Sequence, residues 1–214
     1  KTRDDAFRVS GANGSWIGRT VILATGGASY PGTGSTGDGW LLARRFGHDI
    51  VKPQPSLVPL RTKEQWPATV SGLSLRNVTV RIEAWTKGDE TDPKKREGIA
   101  EGFGEMLFTH FGVSGPTVLT LSRSAGLWLQ EGLDVHLLID LKPALNREKL
   151  DQRVLRDFET YSRKQLKNGM VDLLPKALIP IVLEQAQVDP EKDIHQVTKE
   201  ERESLVTALK GLSL

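Results

Sequence analysis

Cysteine is absent from all 214 residues. That excludes disulfides, thiolate nucleophiles, Cys-ligated zinc and iron–sulfur clusters. The four histidines, His48, His110, His136 and His195, show no metal-ligand spacing, so no metal is expected. No apolar run approaches the roughly 18–20 residues that cross a bilayer, so no membrane partner is expected either. Charge of one sign is also missing, since 29 Lys and Arg face 27 Asp and Glu and leave a formal +2. So small an excess is no nucleic-acid footprint. Methionine is scarce: Met106 and Met170 are the only two, and the chain starts at Lys1. A start without methionine fits a fragment or a processed form. What remains is a globular composition, 38% hydrophobic, long enough for one large domain or two small ones.

The order of patterns along the chain is α/β, then β-rich, then helical. Phe7 and Val9 alternate with polar neighbours in a short strand, and Gly11-Ala12-Asn13-Gly14 is a turn. Residues 20–25, Thr-Val-Ile-Leu-Ala-Thr, predict a strand buried on both faces of a parallel sheet. A helix is expected over 38–46, with Gly47 as its stop, and a short strand over 48–51. Pro53 and Pro55 mark a boundary, which gives a first segment of residues 1–51.

A β-rich part is expected over 52–142. Its strands are read at 56–60, 75–85, 104–110 and 133–141, and 86–98 reads as a charged loop containing Asp92-Pro93. Within it, Pro116 opens a helix to about 129, with Ser114 as candidate N-cap. The last part, 143–214, is helical. Asn146 caps a helix whose Leu150, Val154, Phe158 and Tyr161 form one stripe. Pro175 and Pro180 divide or kink residues 173–187, and Thr198-Lys199-Glu200-Glu201 is a capping box.

Chemistry concentrates in residues 24–39, where six of sixteen residues are glycine. Glycines let a ligand approach the main chain, and Ser29, Thr33, Ser35 and Thr36 add hydroxyls. The loop leads into a helix N-terminus, which favours anions and polarised carbonyls. Gly32-x-Gly34-x-x-Gly37 matches the dinucleotide fingerprint in form, but lies seven residues past Thr25 rather than in the first strand-to-helix turn. A self-contained NAD-binding fold and a purely structural loop are both open readings of these residues.

The run Val21-Ile22-Leu23-Ala24-Thr25-Gly26-Gly27, with Ser29-Tyr30-Pro31 and residues 33–39, resembles the YhiN-like flavoproteins. These are also described as the BaiN/RdsA or aminoacetone-oxidase-like family of FAD-dependent oxidoreductases. A second block, Gly104-Glu105-Met106-Leu107-Phe108-Thr109-His110-Phe111-Gly112-Val113-Ser114-Gly115-Pro116, resembles the same family, as do residues 53–60 and 174–180. The family's N-terminal GxGxxG unit and its C-terminal return to the flavin have no counterpart in the chain. The resemblance therefore implies the centre of such an enzyme: a partial FAD-binding Rossmann-like segment, then an insert with a β-barrel-like and a helical part. It implies FAD as cofactor of the intact parent, NAD(P)H as transient reductant, and hydride transfer to a small-molecule substrate. It also implies the missing flanking segments as partners and a cytoplasmic location, and an inactive fragment when the piece stands alone.

The resemblance assigns Thr25, Gly26 and Gly27 to the FAD border, and Ser29, Tyr30, Gly34, Ser35, Thr36, Gly37 and Asp38 to a wall near the flavin. Asp38 has a second reading as a first-turn acid on the helix dipole, and Tyr30 as an anchor by burial. His110 is a candidate proton donor or acceptor, or a structural histidine. Ser114 and Gly115 are candidates for an anionic substrate group at the helix N-terminus, or for simple capping. In the alternative from another class, residues 52–214 form a non-catalytic lid or partner-binding module.

Overall fold

The computed structural model describes residues 6–88 and 93–214 and divides the chain into two compact units, one ending at Pro53, the other Gln54–Leu214. In the first unit, strands β1 (Phe7–Gly11) and β2 (Gly14–Gly18) form an antiparallel hairpin through Ala12 and Asn13. Gly14, at φ 138°, supplies the backbone angle that the turn needs. Helix α1 (Asp38–Arg45) ends in a Schellman motif: Gly47 N–H donates to the Arg44 carbonyl and His48 N–H to that of Ala43. Phe46 packs edge-on against Phe7, with centroids 5.4 Å apart.

Two expectations for this unit require correction. Residues 20–25 form no strand, and Ile22 is 87% exposed. Residues 48–51 form none either, and Val51 is exposed. A strand exists through its ladder partners, and among the described residues neither segment has one. Among the described residues the unit shows one pairing, the antiparallel β1–β2, so a Rossmann-like segment is not confirmed there and no βαβ motif for a self-contained NAD fold is seen. Gly37 and Gly39 are the unit's only buried described residues, so it has no apolar core of its own.

The second unit is built on a curled, six-stranded antiparallel sheet, a half-barrel, in the order β3-β6-β5-β4-β7-β8. Its strands are β3 (Leu60–Arg61), β4 (Ser74–Trp85), β5 (Arg96–Thr109), β6 (Gly112–Ser114), β7 (Asp134–Asp140) and β8 (Leu212–Ser213). Helix α2 (Trp66–Thr69) follows β3, and α3 (Pro116–Gln130) packs against the β5 glycines. Val78, Val80, Ile82 and Ala84 of β4 point into the core, as their alternation predicts. A bulge at Asn77, φ 55°, shifts the register between Leu75 and Val78.

Strand β5 starts at Arg96, inside the segment read as a loop, whose Asp92 lies outside the described residues. Its inward positions are Gly98, Ala100, Gly102 and Gly104, where α3 lies flush on the sheet. A Cβ on Gly102 would meet Thr117 Cγ2 at 2.9 Å, and one on Gly104 Thr117 Oγ1 at 2.8 Å. The expected strand over 56–60 shrinks to β3, with Leu57 exposed at φ 55°.

The helical part consists of α4 (Arg147–Thr160), α5 (Leu166–Gly169), α6 (Ile179–Gln185) and α7 (Lys199–Lys210). Asn146 Oδ1 accepts from Lys149 N–H at 2.9 Å, and Leu150 and Val154 are buried beneath it. Pro175 and Pro180 leave one short helix, α6, entered through the turn Lys176–Leu178. The Thr198–Glu201 capping box starts α7, and Arg202 pairs with Asp151 of α4 at 2.6 Å. No described helix is long and apolar enough to cross a membrane.

Candidate functional site

In the first unit the glycine loop closes on itself, because Gly37 N–H donates to the Gly27 carbonyl at 3.0 Å. Gly26, Gly34 and Gly37 take φ values of 74°, 88° and 82°, which side chains other than glycine's resist. The Thr25 hydroxyl fills the space that a Cβ on Gly39 would need, which ties the loop's entry to the first turn of α1. Thr33 Oγ1 donates to the Tyr30 carbonyl at 2.8 Å, and Thr36 Oγ1 to Asp38 Oδ2 at 2.9 Å. Those two hydroxyls and the Asp38 carboxylate therefore shape the loop. Ser29 and Ser35 make no hydrogen bond among the described residues.

Tyr30 is 74% exposed, so burial does not anchor it. The carboxylate of Asp38 is the only charge from Thr25 to Gly39. Amides, hydroxyls and one open aromatic ring form a neutral donor set. Such a set can donate to the heteroatoms of a neutral ring such as the ring end of FAD, and the free N–H groups at the α1 N-terminus can also receive an anion. Beside the loop, an open cavity of about 400 Å³ is lined by Thr36, Gly37, Trp40, Leu41, Ile50 and Pro53 among others.

In the second unit, His110 and Phe111 form the tip of the β5–β6 hairpin, where Thr109 pairs with Gly112. Gly112, at φ 150°, has the Leu60 carbonyl where a Cβ would sit, so β3 presses directly on the hairpin. Thr62 N–H donates to the Phe111 carbonyl at 3.2 Å. The His110 ring stands perpendicular to that of Phe111 at 4.9 Å, and the Arg61 guanidinium lies 6.0 Å from the Phe111 ring centre. His110, Phe111, Arg61, Thr62, Glu64 and Gln65 line a cleft of about 230 Å³. The sequence gives no signal for Arg61, Thr62 or Gln65, because β3 reaches the hairpin from some fifty positions earlier in the chain.

Ser114 is not the N-cap of α3. It belongs to β6, opposite Leu107, and the cap is Gly115 at φ 95°, without a side-chain bond. A Cβ on Gly115 would lie 2.8 Å from Met106 Cα, so glycine is there for close packing. Ser114 lies at the end of β6 away from the turn that carries His110. The hairpin tip and the α3 N-terminus are thus two places.

Residues 54–214 match the family described as the HI0933-like protein barrel and H2TH domain. Among curated proteins, the chain is 33% identical over 178 residues to a ribosomal RNA dihydrouridine synthase of Haemophilus influenzae, covering 82% of this chain and 38% of that protein. It is 28% identical over 190 residues to the 3-dehydro-bile acid delta(4,6)-reductase of Clostridium scindens, covering 89% and 44%. It is also 28% identical over 201 residues to a ribosomal RNA dihydrouridine synthase of Escherichia coli, covering 92% and 44%. The chain therefore spans less than half the length of these relatives.

Proposed function

The chain belongs to this HI0933-like family of FAD-dependent oxidoreductases, and we propose that it is the central part of a reductase that saturates a carbon–carbon double bond conjugated to a carbonyl. The relatives' names support the reaction class. Making dihydrouridine and reducing a delta(4,6) bond both add two hydrogens across a double bond. The observation that carries the cofactor assignment is the neutral donor set of the glycine loop. Gly26, Gly27, Ser29 and Ser35 would hold the ring end of FAD through amides and hydroxyls, with the exposed Tyr30 ring beside them. Thr36 and Asp38 keep the loop in shape. FAD, when bound, supplies hydride chemistry, with a reduced nicotinamide as the source of electrons.

In the second unit, His110 is the candidate proton donor or acceptor. Its ring is exposed, and its nitrogens make no hydrogen bond among the described residues. Arg61 and Gln65 orient a carbonyl in the same cleft. No βαβ unit for the ADP half of FAD forms among the described residues, so the 214 residues alone are expected to bind FAD weakly. A purified sample of these residues carrying stoichiometric flavin would overturn that. The function itself is tested in the full reading frame. Ser29→Ala with Ser35→Ala is expected to raise the flavin dissociation constant at least tenfold. His110→Gln is expected to lower kcat at least a hundredfold with flavin content unchanged. Wild-type turnover in His110→Gln would remove its role.

A further inference from the structure

Among the β4 positions that alternate with the inward Val80 and Ile82 lies a polar cleft of about 370 Å³ that the flavin reading does not use. Thr79 and Arg81 of β4, Glu101 of β5, Asp140 of β7, Arg147 of α4 and Lys210 of α7 line it. Lys210 and Asp140 neutralise each other at 2.5 Å, and Lys210 spends its remaining donors on the carbonyls of Lys142 and Leu145. Glu83 is the one buried carboxylate nearby, and two guanidinium groups share it: Arg96 Nη1 at 3.3 Å and Arg81 Nε at 3.4 Å.

The Arg81 contact is a Coulomb attraction without hydrogen-bond alignment. Its Nε is buried and has no acceptor among the described residues. Buried donors are almost always satisfied, so Arg81, which lines the cleft, is short of an aligned acceptor. Arg147 spends only Nη1, on the Thr207 hydroxyl at 3.0 Å, and has no carboxylate partner among the described residues. Four cations thus stand against three carboxylates, one of which, Glu101, is exposed and makes no ion pair among the described residues.

We infer that this cleft binds a phosphate group between Arg81 and Arg147. Guanidinium forks match phosphate oxygens in pairs, and the group supplies the acceptor that Arg81 Nε lacks. Glu101 sharpens the choice of anion. An ionised carboxylate only accepts hydrogen bonds, so it tolerates a phosphate that keeps a proton and repels a sulfate, which has none. The volume equals about a dozen waters at ~30 Å³ each, room for a sugar attached to the phosphate.

The test is calorimetric titration of the chain with inorganic phosphate at constant ionic strength, beside sulfate and a nucleoside monophosphate. One phosphate per chain is expected to bind saturably and more tightly than sulfate. Arg81→Gln and Arg147→Gln are each expected to weaken it at least tenfold, while Arg147→Lys retains part and Glu101→Gln narrows the gap to sulfate. Tighter binding of the nucleotide than of the free ion identifies a phosphate ester as the ligand, and the reverse a free phosphate. Absence of saturation overturns the site, as does equal loss in Arg156→Gln, an exposed position of α4 outside the cleft. Melting curves of each variant separate lost binding from lost folding. The readout needs no flavin, so it stands or falls apart from the reductase reading.

Discussion

Gln185 treats Ser213 as a neighbouring strand would. Its side-chain Nε2 donates to the Ser213 carbonyl at 2.8 Å, and its Oε1 accepts from Ser213 N–H at 3.0 Å. Strand β8 is an edge of the sheet, and the amide of one glutamine satisfies its outward main chain. Gln185→Ala should cost about 1–2 kcal/mol, two ordinary hydrogen bonds. Urea unfolding measures it. An unchanged midpoint would show that water replaces the glutamine without loss.

Gly98 and Trp128 give a second, steric prediction. A Cβ on Gly98 would lie 2.5 Å from the Trp128 ring, at the far end of the close approach between α3 and β5. Gly98→Ala should destabilise by about 1–3 kcal/mol through overpacking. Trp128→Leu in the same chain should recover part of that, so the two changes are non-additive. Additive losses in a double-mutant cycle would mean that the contact is not the cause.

Gly115 of the second motif block should separate from its histidine. Gly115→Ala meets both a left-handed φ and the Met106 backbone. It should lose at least about 2 kcal/mol, since backbone strain alone costs about 1–3. His110→Gln, at an exposed turn, should stay within about 0.5 kcal/mol of wild type. Thermal unfolding of both variants decides it. A large loss in His110→Gln would make that residue structural.

The acid limb of stability should depend on Glu201. Two bonds from Lys192 Nζ, at 2.7 and 2.9 Å, and one from Thr198 N–H hold its carboxyl below the ordinary value of 4.5. A carboxyl depressed in the folded state stabilises fully above its unfolded value, and that stability is lost as pH falls through the folded one. Glu201→Gln should therefore flatten the stability profile below about pH 4.5. Thr198→Ala should cost about 1 kcal/mol at neutral pH. An acid limb unchanged in Glu201→Gln would assign it to other carboxylates.

Local rules were readable from the residues themselves. The Thr198 box and the Asn146 cap are made within four residues, and Val78, Val80 and Ile82 alternate against one core. The first half of β5 escaped because its inward positions are Gly98, Ala100, Gly102 and Gly104. The period of two is present, but in small residues rather than apolar ones, and only the helix lying on them explains it. Residues 20–25 misled for the opposite reason: a strand buried on both faces is a statement about neighbours, which six residues cannot contain. The glycine loop was legible as a concentration of donors. Arg61 beside His110 was not, since the β3–β6 pairing that joins them is a long-range event.

The unpaired run at 20–25 also affects how the chain behaves in solution. It is six residues of high β-propensity, without charge or proline, with Ile22 and Leu23 facing water and no ladder to occupy its amides. Such a segment is a template for its own kind, so light scattering is expected to rise with the concentration of this chain, and a single gatekeeper charge, Ile22→Lys, is expected to lower it.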